Sequence, residues 1–506
     1  MLPELSGLRQ ARRPLGIPSL HLVTGPRNAP QINAERAGYD GPMRALLKFL
    51  VFLIIAAVIV AGGAWVWAEG QPGPTITIRQ PEKFIGQMST LEMSVEAPRG
   101  QFSRIDVSVE QNGKTFPVFA LGQPEADVKQ DSAERIYIMR PVGKRAIPEL
   151  QTGNARILVS AARPVLYGMR QAESTATRDV QVRLDPPRAG VLSSHHYVNH
   201  GGAEFVIYRA TPADVESGVR VGERTYPGYP GTAVGLTDPA VRVAFFALLY
   251  DQELNERVEL FARDPAGNQV AVELPDYRAF PKPFARSRIQ IDDRFLQRVV
   301  PAIAQNTPTM QIDTNDLLRG FLSINGELRR KNAETIAALS QKSAPEMMWK
   351  DNFQQLGNSQ VEARFADHRT YVYQGKEVDQ QVHLGFDLAV TSNVPIVAAQ
   401  RGVVVYADYL GIYGNCVIVD HGLGVQTLYA HLSSIDVKTG DRVEKGQTLG
   451  RSGMTGLAGG DHLHFTTLVN GQAVNPVEWW DTKWMQDRVF RKITEAGGPT
   501  STTATP

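Results

Sequence analysis

Six of the chain's ten histidines fall between residues 368 and 464, and that concentration is where chemistry is to be sought. The stretch opens with HLGFD (His383 to Asp387), passes through LYAHL with His431 at its centre, and closes on HLH (His462, Leu463, His464). Imidazole and carboxylate are the usual ligands of a borderline-soft cation such as zinc, and a catalytic zinc site takes three of them plus a water. In HLH, residues two apart on a strand face the same side, so His462 and His464 point into one groove and either or both could reach a metal. In HLGFD the spacing is four, which on a straight strand separates the side chains by about 13 Å, whereas metal bonds are about 2.0–2.2 Å long. The backbone must therefore bend between His383 and Asp387, and Gly385 is where bending costs least.

Each piece alone is weak, because a lone histidine is more often a structural residue. Together, in one β-rich segment, HxGxD, YAHL and GxxHLHF are specific. The segment from His383 through Pro476, which includes NCVIVDHGLGVQTLYAHLSSIDVKTGDRVEKGQTLGRSG, resembles the lysostaphin-type (LytM-like) zinc metallopeptidases, endopeptidases that cut the peptide bridges of bacterial cell walls. The resemblance covers about a quarter of the chain. It implies that His383, Asp387 and His464 are the ligands of one Zn2+ per chain and that His431 and His462 are a non-ligand catalytic pair. His421 and His368 receive no role. Two neutral imidazoles and one carboxylate would leave such a centre with net positive charge and an open position, able to lower the pKa of a water to about 7 and to polarise a carbonyl. The two remaining histidines would then orient water, carry its proton to the leaving amine and stabilise the oxyanion. Two positions depart from the family's pattern: Asp461 stands before HLH, where a small residue or proline is usual, and Thr466 follows HLHF, where an acidic residue is common. A carboxylate at 461 could bond a histidine or stand solvated in a turn.

At 506 residues the chain is too long for one ordinary core, and about three domains are expected. The net charge of +1, from 53 basic and 52 acidic residues, argues against a nucleic-acid partner. The single cysteine, Cys416, permits no intrachain disulfide and no CxxC motif, and within NCVIVD it reads as a small buried strand residue.

In chain order, residues 1–43 are rich in Pro, Gly and Arg and read as a disordered cytoplasmic leader, with Met43 an alternative start. Residues 44–68 read as a transmembrane helix: Phe49 to Ala68 carries no charge and as a helix spans about 30 Å, the depth of a bilayer core. Arg44 and Lys48 precede it and Trp65 and Trp67 close it, which leaves the N-terminus cytoplasmic and sends the rest outside. A cleaved signal peptide is the alternative. Alternating segments then fill 74–185, with Asn112-Gly113 marking a type I′ hairpin. About seven short strands there indicate an immunoglobulin-like β-sandwich. Residues 188–276 repeat the texture and read as a second one, with a turn at Asp264 to Asn268. The SSHHYVNH segment within it (His195, His196, His200) reads as a loop of solvated histidines. Over 290–342 the period becomes helical, with Leu317, Leu318, Phe321, Leu322, Leu328, Ile336 and Leu339 recurring at helical spacing, and 277–350 reads as a helical connector able to cover the next domain's groove. Residues 351–480 form the mostly β peptidase domain and 481–506 a C-terminal tail, low in complexity from Pro499.

The fold class is thus mainly β: two immunoglobulin-like β-sandwiches, a helical connector and a LytM-like peptidase domain behind one transmembrane helix. The function expected is that of a membrane-anchored zinc metalloendopeptidase acting on peptidoglycan peptides in the periplasm or outside the cell. The cytoplasmic membrane engages residues 49–68, and cell-wall proteins are candidate partners of the sandwiches. The competing class is a non-catalytic LytM-like regulator that activates a separate cell-wall amidase. Such regulators have lost ligands, whereas all five positions are filled here.

Overall fold

The computed structural model describes residues 41–499 except 99–100, 124–127 and 133. Residues 1–40 of the expected leader lie outside the described residues, and the last three of that stretch open a helix. This helix, Gly41–Glu69, is long and apolar enough to cross a membrane, with a mean hydropathy of 2.8 over its most apolar window. Phe49, Ile54, Val60 and Val66 are all exposed along it. It belongs to the first of two units in the chain; everything from Pro72 onward forms the second.

The second unit is mainly β. Its first region places a four-stranded and a five-stranded sheet over one buried cluster that includes Leu91, Met93, Ile105, Val107, Val109 and Ile157. Strand Arg104–Gln111 shows why: Ile105, Val107 and Val109 alternate inward while the residues between them stay half-exposed, the period of a pleated strand. It turns into Lys114–Ala120 through Asn112 and Gly113, both at positive φ (51° and 75°), with Gln111 paired to Lys114. That is the two-residue turn whose twist matches the strands.

The next region pairs two further four-stranded sheets, built around Ala203–Thr211 with Val241–Ala247 and around Glu216–Val221 with Val258–Arg263. Asp264 closes the expected turn by accepting from the backbone of Asn268 at 2.8 Å. One histidine reading is corrected here. His196 is not solvated: it lies fully buried on the strand His196–Asn199, bonded to Ser193 and to the carbonyl of Pro275, and burial pushes it down to about 4. The segment is a strand because it pairs, in parallel, with Tyr277–Phe280 from much later in the chain.

The buried cluster of this region does not stop at the expected boundary. It runs without interruption into the C-terminal region, where Phe245 meets Trp349 and Trp479 with ring centroids 6.0 and 5.4 Å apart. Part of the stretch read as a tail takes part in it. Thr482–Met485, Gln486–Phe490 and Arg491–Glu495 are helical turns that bury Val489, Phe490 and Ile493. They also bury Lys492, whose Nζ reaches Glu204 Oε1 and the carbonyl of Phe205, each at 2.8 Å. Both charged groups of this pair are removed from water, and each is satisfied by the other.

The segment before the C-terminal sheet starts with strands Tyr277–Phe280 and Arg286–Ile291 and then becomes helical in Asp293–Asn306, Leu317–Ser323 and Arg329–Ser340. Asp292 and Asp316 cap the first two helices by accepting from the backbone three residues on. The C-terminal sheet is eight-stranded. Its centre runs Gln360–Ala363, Phe386–Ala389, His462–Val469, Val425–Leu432, Asn415–Asp420, Gly402–Tyr409. One face, with Leu463, Phe465 and Val469, enters the shared core. The other, with Leu428 and Leu468, receives Ile336 of the last helix.

Replacing Lys492 by Met leaves Glu204 buried with Arg488, at 3.9 Å, as its remaining cation. The expected loss is about 3–5 kcal/mol, read as a lower urea midpoint for the full chain in detergent. A midpoint equal to that of the unmodified chain would show that the C-terminal turns do not lock the shared core.

Candidate metal centre

His383 ends the strand Lys376–His383, the chain bends through Leu384 and Gly385, and Asp387 is carried by the next strand, Phe386–Ala389. Antiparallel pairing sets Asp387 opposite His464 and Ala389 opposite His462, while Ala430 pairs with His464 from the other side and so brings His431 alongside. The bend that the spacing of four demands is present. Gly385 itself does not use a left-handed backbone. Its need for glycine is one of space: a Cβ there would stand 2.6 Å from the His464 ring and 2.7 Å from Thr466 Oγ1.

Three atoms converge: His383 Nε2 lies 2.9 Å from Asp387 Oδ1 and 2.9 Å from His464 Nδ1, which in turn lies 3.0 Å from Asp387 Oδ1. All five residues singled out by sequence are brought together here and are buried. His462 Nε2 stands 3.4 Å from Asp387 Oδ1. The His431 ring lies 4.9 Å from that of His462 and 5.7 Å from that of His464. His431 takes a positive φ of 64°, a strained backbone of the kind that gathers at functional sites, at about 1–3 kcal/mol.

The outer nitrogen of every ring is fixed. His383 Nδ1 donates to the carbonyl of Arg364 (3.2 Å), His431 Nδ1 to that of Thr455 (2.8 Å) and His462 Nδ1 to that of Gly460 (2.9 Å). A carbonyl only accepts, so in each neutral ring Nε2 is left with its lone pair. His464 is the reverse. Its Nε2 meets Thr466 Oγ1 at 3.0 Å, and that hydroxyl spends its own proton on the carbonyl of Leu384 at 3.0 Å. His464 Nε2 must therefore be the donor, and Nδ1 faces inward bare. Thr466 thus orients a histidine from the position where an acidic residue is common. Asp461 bonds no histidine and instead accepts from the backbone of Asn393 at 3.3 Å.

Charge follows from this packing. Burial works against the ionised Asp387, but the charge and hydrogen bond of His383, with those of His462 and His464, prevail and hold it well below the usual carboxylate range. Burial pushes His464 down to about 4 and, with the nearby His462 and His464, carries His431 well below its ordinary value. Burial disfavours a charged His462 too, yet its bond and attraction to Asp387 win and raise it. Two inner imidazole nitrogens and a carboxylate oxygen therefore face one another, and once the inner protons are given up they form an N, N, O ligand set. That set, buried and within reach of a single ion, is one that zinc accepts.

His421 is elsewhere, bonded to the carbonyl of Arg401 and to Thr427 deep in the core, and His368 is exposed. Tyr413, whose ring lies 5.5 Å from that of His464, and Arg369, which donates to Asp387 Oδ2 at 2.8 Å, are contacts that the local motifs did not single out. The signal for Arg369 was its place two residues from Asp367, on the same side of the strand Asp367–Tyr373.

A sheet that carries a buried His, Asp, His cluster beside two further histidines is the class of centre found here. Residues 381–476 match the model of Peptidase family M23, and the chain thus carries a C-terminal M23 peptidase domain. It is 42% identical over 97 residues to the DD-carboxypeptidase/endopeptidase Mpg of Neisseria meningitidis, covering 19% of this chain and 22% of that protein. It is 31% identical over 163 residues to the peptidoglycan DD-endopeptidase ShyA of Vibrio cholerae, covering 32% and 34%. The catalytic domain of lysostaphin from Staphylococcus simulans aligns with 28% identity over 26% of this chain and 98% of its own, with a TM-score of 0.22. The alignments span 22% and 34% of the lengths of those two curated relatives.

Because a Cβ at 385 collides with His464, Gly385→Ala is expected to cost the cluster its shape while the shared core survives. Metal analysis after zinc loading would show the variant largely empty with an unfolding midpoint close to that of the unmodified chain; full zinc content would refute the steric account.

Proposed function

We propose that the chain is a membrane-anchored zinc metalloendopeptidase that hydrolyses peptide cross-links or stem peptides of bacterial peptidoglycan. The observation that carries this reading is the convergence of His383 Nε2, Asp387 Oδ1 and His464 Nδ1 to within 3.0 Å of one another, beside the rings of His431 and His462. His383, Asp387 and His464 would hold the ion. Zinc, when bound, supplies a Lewis acid that polarises the scissile carbonyl and makes a water more acidic.

His431 and His462 divide the proton work. His431 is kept neutral by its burial and presents a bare Nε2, the form that accepts a proton from water as its oxygen bonds to the carbonyl carbon. His462, which faces the same groove, is the group that would donate to the developing oxyanion or to the amine as the C–N bond breaks. The proton taken up by one side of the groove is matched by the proton given to the departing amine.

The names of the M23 relatives, a DD-carboxypeptidase/endopeptidase and a peptidoglycan DD-endopeptidase, support wall peptides as substrate and DD cross-links as the bond. The helix Gly41–Glu69 supports an anchor in the cytoplasmic membrane, with the catalytic region on its outer side, and the two β regions read as immunoglobulin-like spacers toward the wall. The last helix of the connector packs on the sheet face that also carries His464, which supports a groove narrowed from one side.

The test uses the full chain in detergent with isolated peptidoglycan. One zinc per chain and conversion of cross-linked muropeptides to monomers with release of new amines are expected. His431→Ala should keep the zinc and lose about 10²–10⁴-fold in rate. A chain without zinc and without cleavage would overturn the enzyme and leave the amidase-activating regulator. Zinc-bound chain that cleaves nothing would likewise refute peptidase activity in this form of the protein.

A further inference from the structure

Asp387 offers two oxygens, and the structure divides them. Oδ1 faces His383 and His464, whereas Oδ2 accepts from Arg369 Nη2 at 2.8 Å. Arg369 is itself clamped: its Nε bonds Asp367 Oδ2 at 3.3 Å, and Asp367 Oδ1 accepts from Ser287 Oγ at 2.9 Å. The side chains of Arg369, Asp367 and Asp387 are 19%, 5% and 11% exposed, so this is a shielded chain of charge-assisted bonds rather than a surface pair.

The backbone holds the same residues in register. Arg369 lies on the strand Asp367–Tyr373, where it pairs with Ser287 on one side and Gln381 on the other, and Asp367 pairs with His383. Ser287 belongs to Arg286–Ile291, the strand that leads into the helical connector. Arg369, Asp367 and Ser287 all lie outside residues 381–476, the segment that matches the M23 model. Their charges cancel, since the guanidinium that approaches the metal cluster brings its own carboxylate with it. What the pair adds is orientation. A planar fork that engages both carboxylates at once fixes them in a way that an ammonium cannot.

We propose that Arg369 is a positioning residue which, held by Asp367 and Ser287, occupies Asp387 Oδ2 and so presents Asp387 to the metal through Oδ1 alone. This rests on the zinc reading above. It also means that the upstream region, through Ser287, supplies part of the metal site.

The experiment is a metal titration of the full chain against a chelator, together with the visible absorption of the cobalt(II)-substituted protein, which reports ligand number and geometry without turnover. The decisive variant is Asp367→Asn with Arg369→Met, which removes the fork while conserving net charge. Zinc affinity is expected to fall about 10- to 100-fold, and the cobalt spectrum to change as Asp387 is freed to use both oxygens. A folded double variant with the affinity and spectrum of the unmodified chain would overturn the proposal. Should that variant not fold, Arg369→Lys takes its place, since it keeps the charge and loses the fork. An altered spectrum with weaker binding supports the proposal there, and unaltered values refute it. Failure of the underlying reading is separately visible, because the unmodified chain would then bind neither zinc nor cobalt.

Discussion

The mutual approach of three ligand atoms, on His383, Asp387 and His464, is the constraint around which the C-terminal region is arranged. Three ligand atoms from three separate strands do not gather at 2.9–3.0 Å in a buried place without help. The help comes from strand pairing, which sets Asp387 against His464 by main-chain register, and from four outer contacts that fix each imidazole. Carbonyls of Arg364, Thr455 and Gly460 and the hydroxyl of Thr466 determine which nitrogen of each ring is bare. These contacts keep lone pairs turned inward, so that a bound cation would meet ligands already in place.

Rigidity around the cluster comes from further away. The face of the sheet opposite the histidines is buried in a core that continues into the preceding β region, through Phe245, Trp349 and Trp479. The C-terminal turns close that core through the Lys492–Glu204 pair, which is costly to desolvate and is kept by full hydrogen bonding. The peptidase region is therefore not packed as a free-standing module. Its floor is shared with a region outside the segment by which its family is recognised, and so is Arg369.

The face that carries the histidines is occupied along part of its length. Ile336 of the helix Arg329–Ser340 packs with Ile418, Leu428 and Leu468, and Asn332 accepts from the backbone of Ile412 at 3.0 Å, next to Tyr413 and hence next to His464. The groove beside His464 is thus bounded by the connector helix as well as by the histidine cluster.

What the sequence determined by itself is what local rules decide. Periodicity separated the helices of 293–340 from the strands around them, charge-free length marked the helix Gly41–Glu69, and Asn112-Gly113 specified a hairpin because positive φ is a property of the turn residues themselves. Residue type and spacing marked the stretch from His383 to His464, the resemblance to the lysostaphin-type peptidases singled out His383, Asp387, His431, His462 and His464 within it, and spacing alone demanded a bend at Gly385. Tertiary structure decided the rest. It showed that Gly385 is required by the nearness of the His464 ring, that His196 is a core residue, and that residues 482–495 fold back onto Glu204. It also showed that Arg369 takes the second oxygen of Asp387. Each of these depends on groups far apart in the chain that meet across a sheet or a shared core. Periodicity records which face a residue occupies and not what will stand opposite, so these contacts became legible only once the strands were in register.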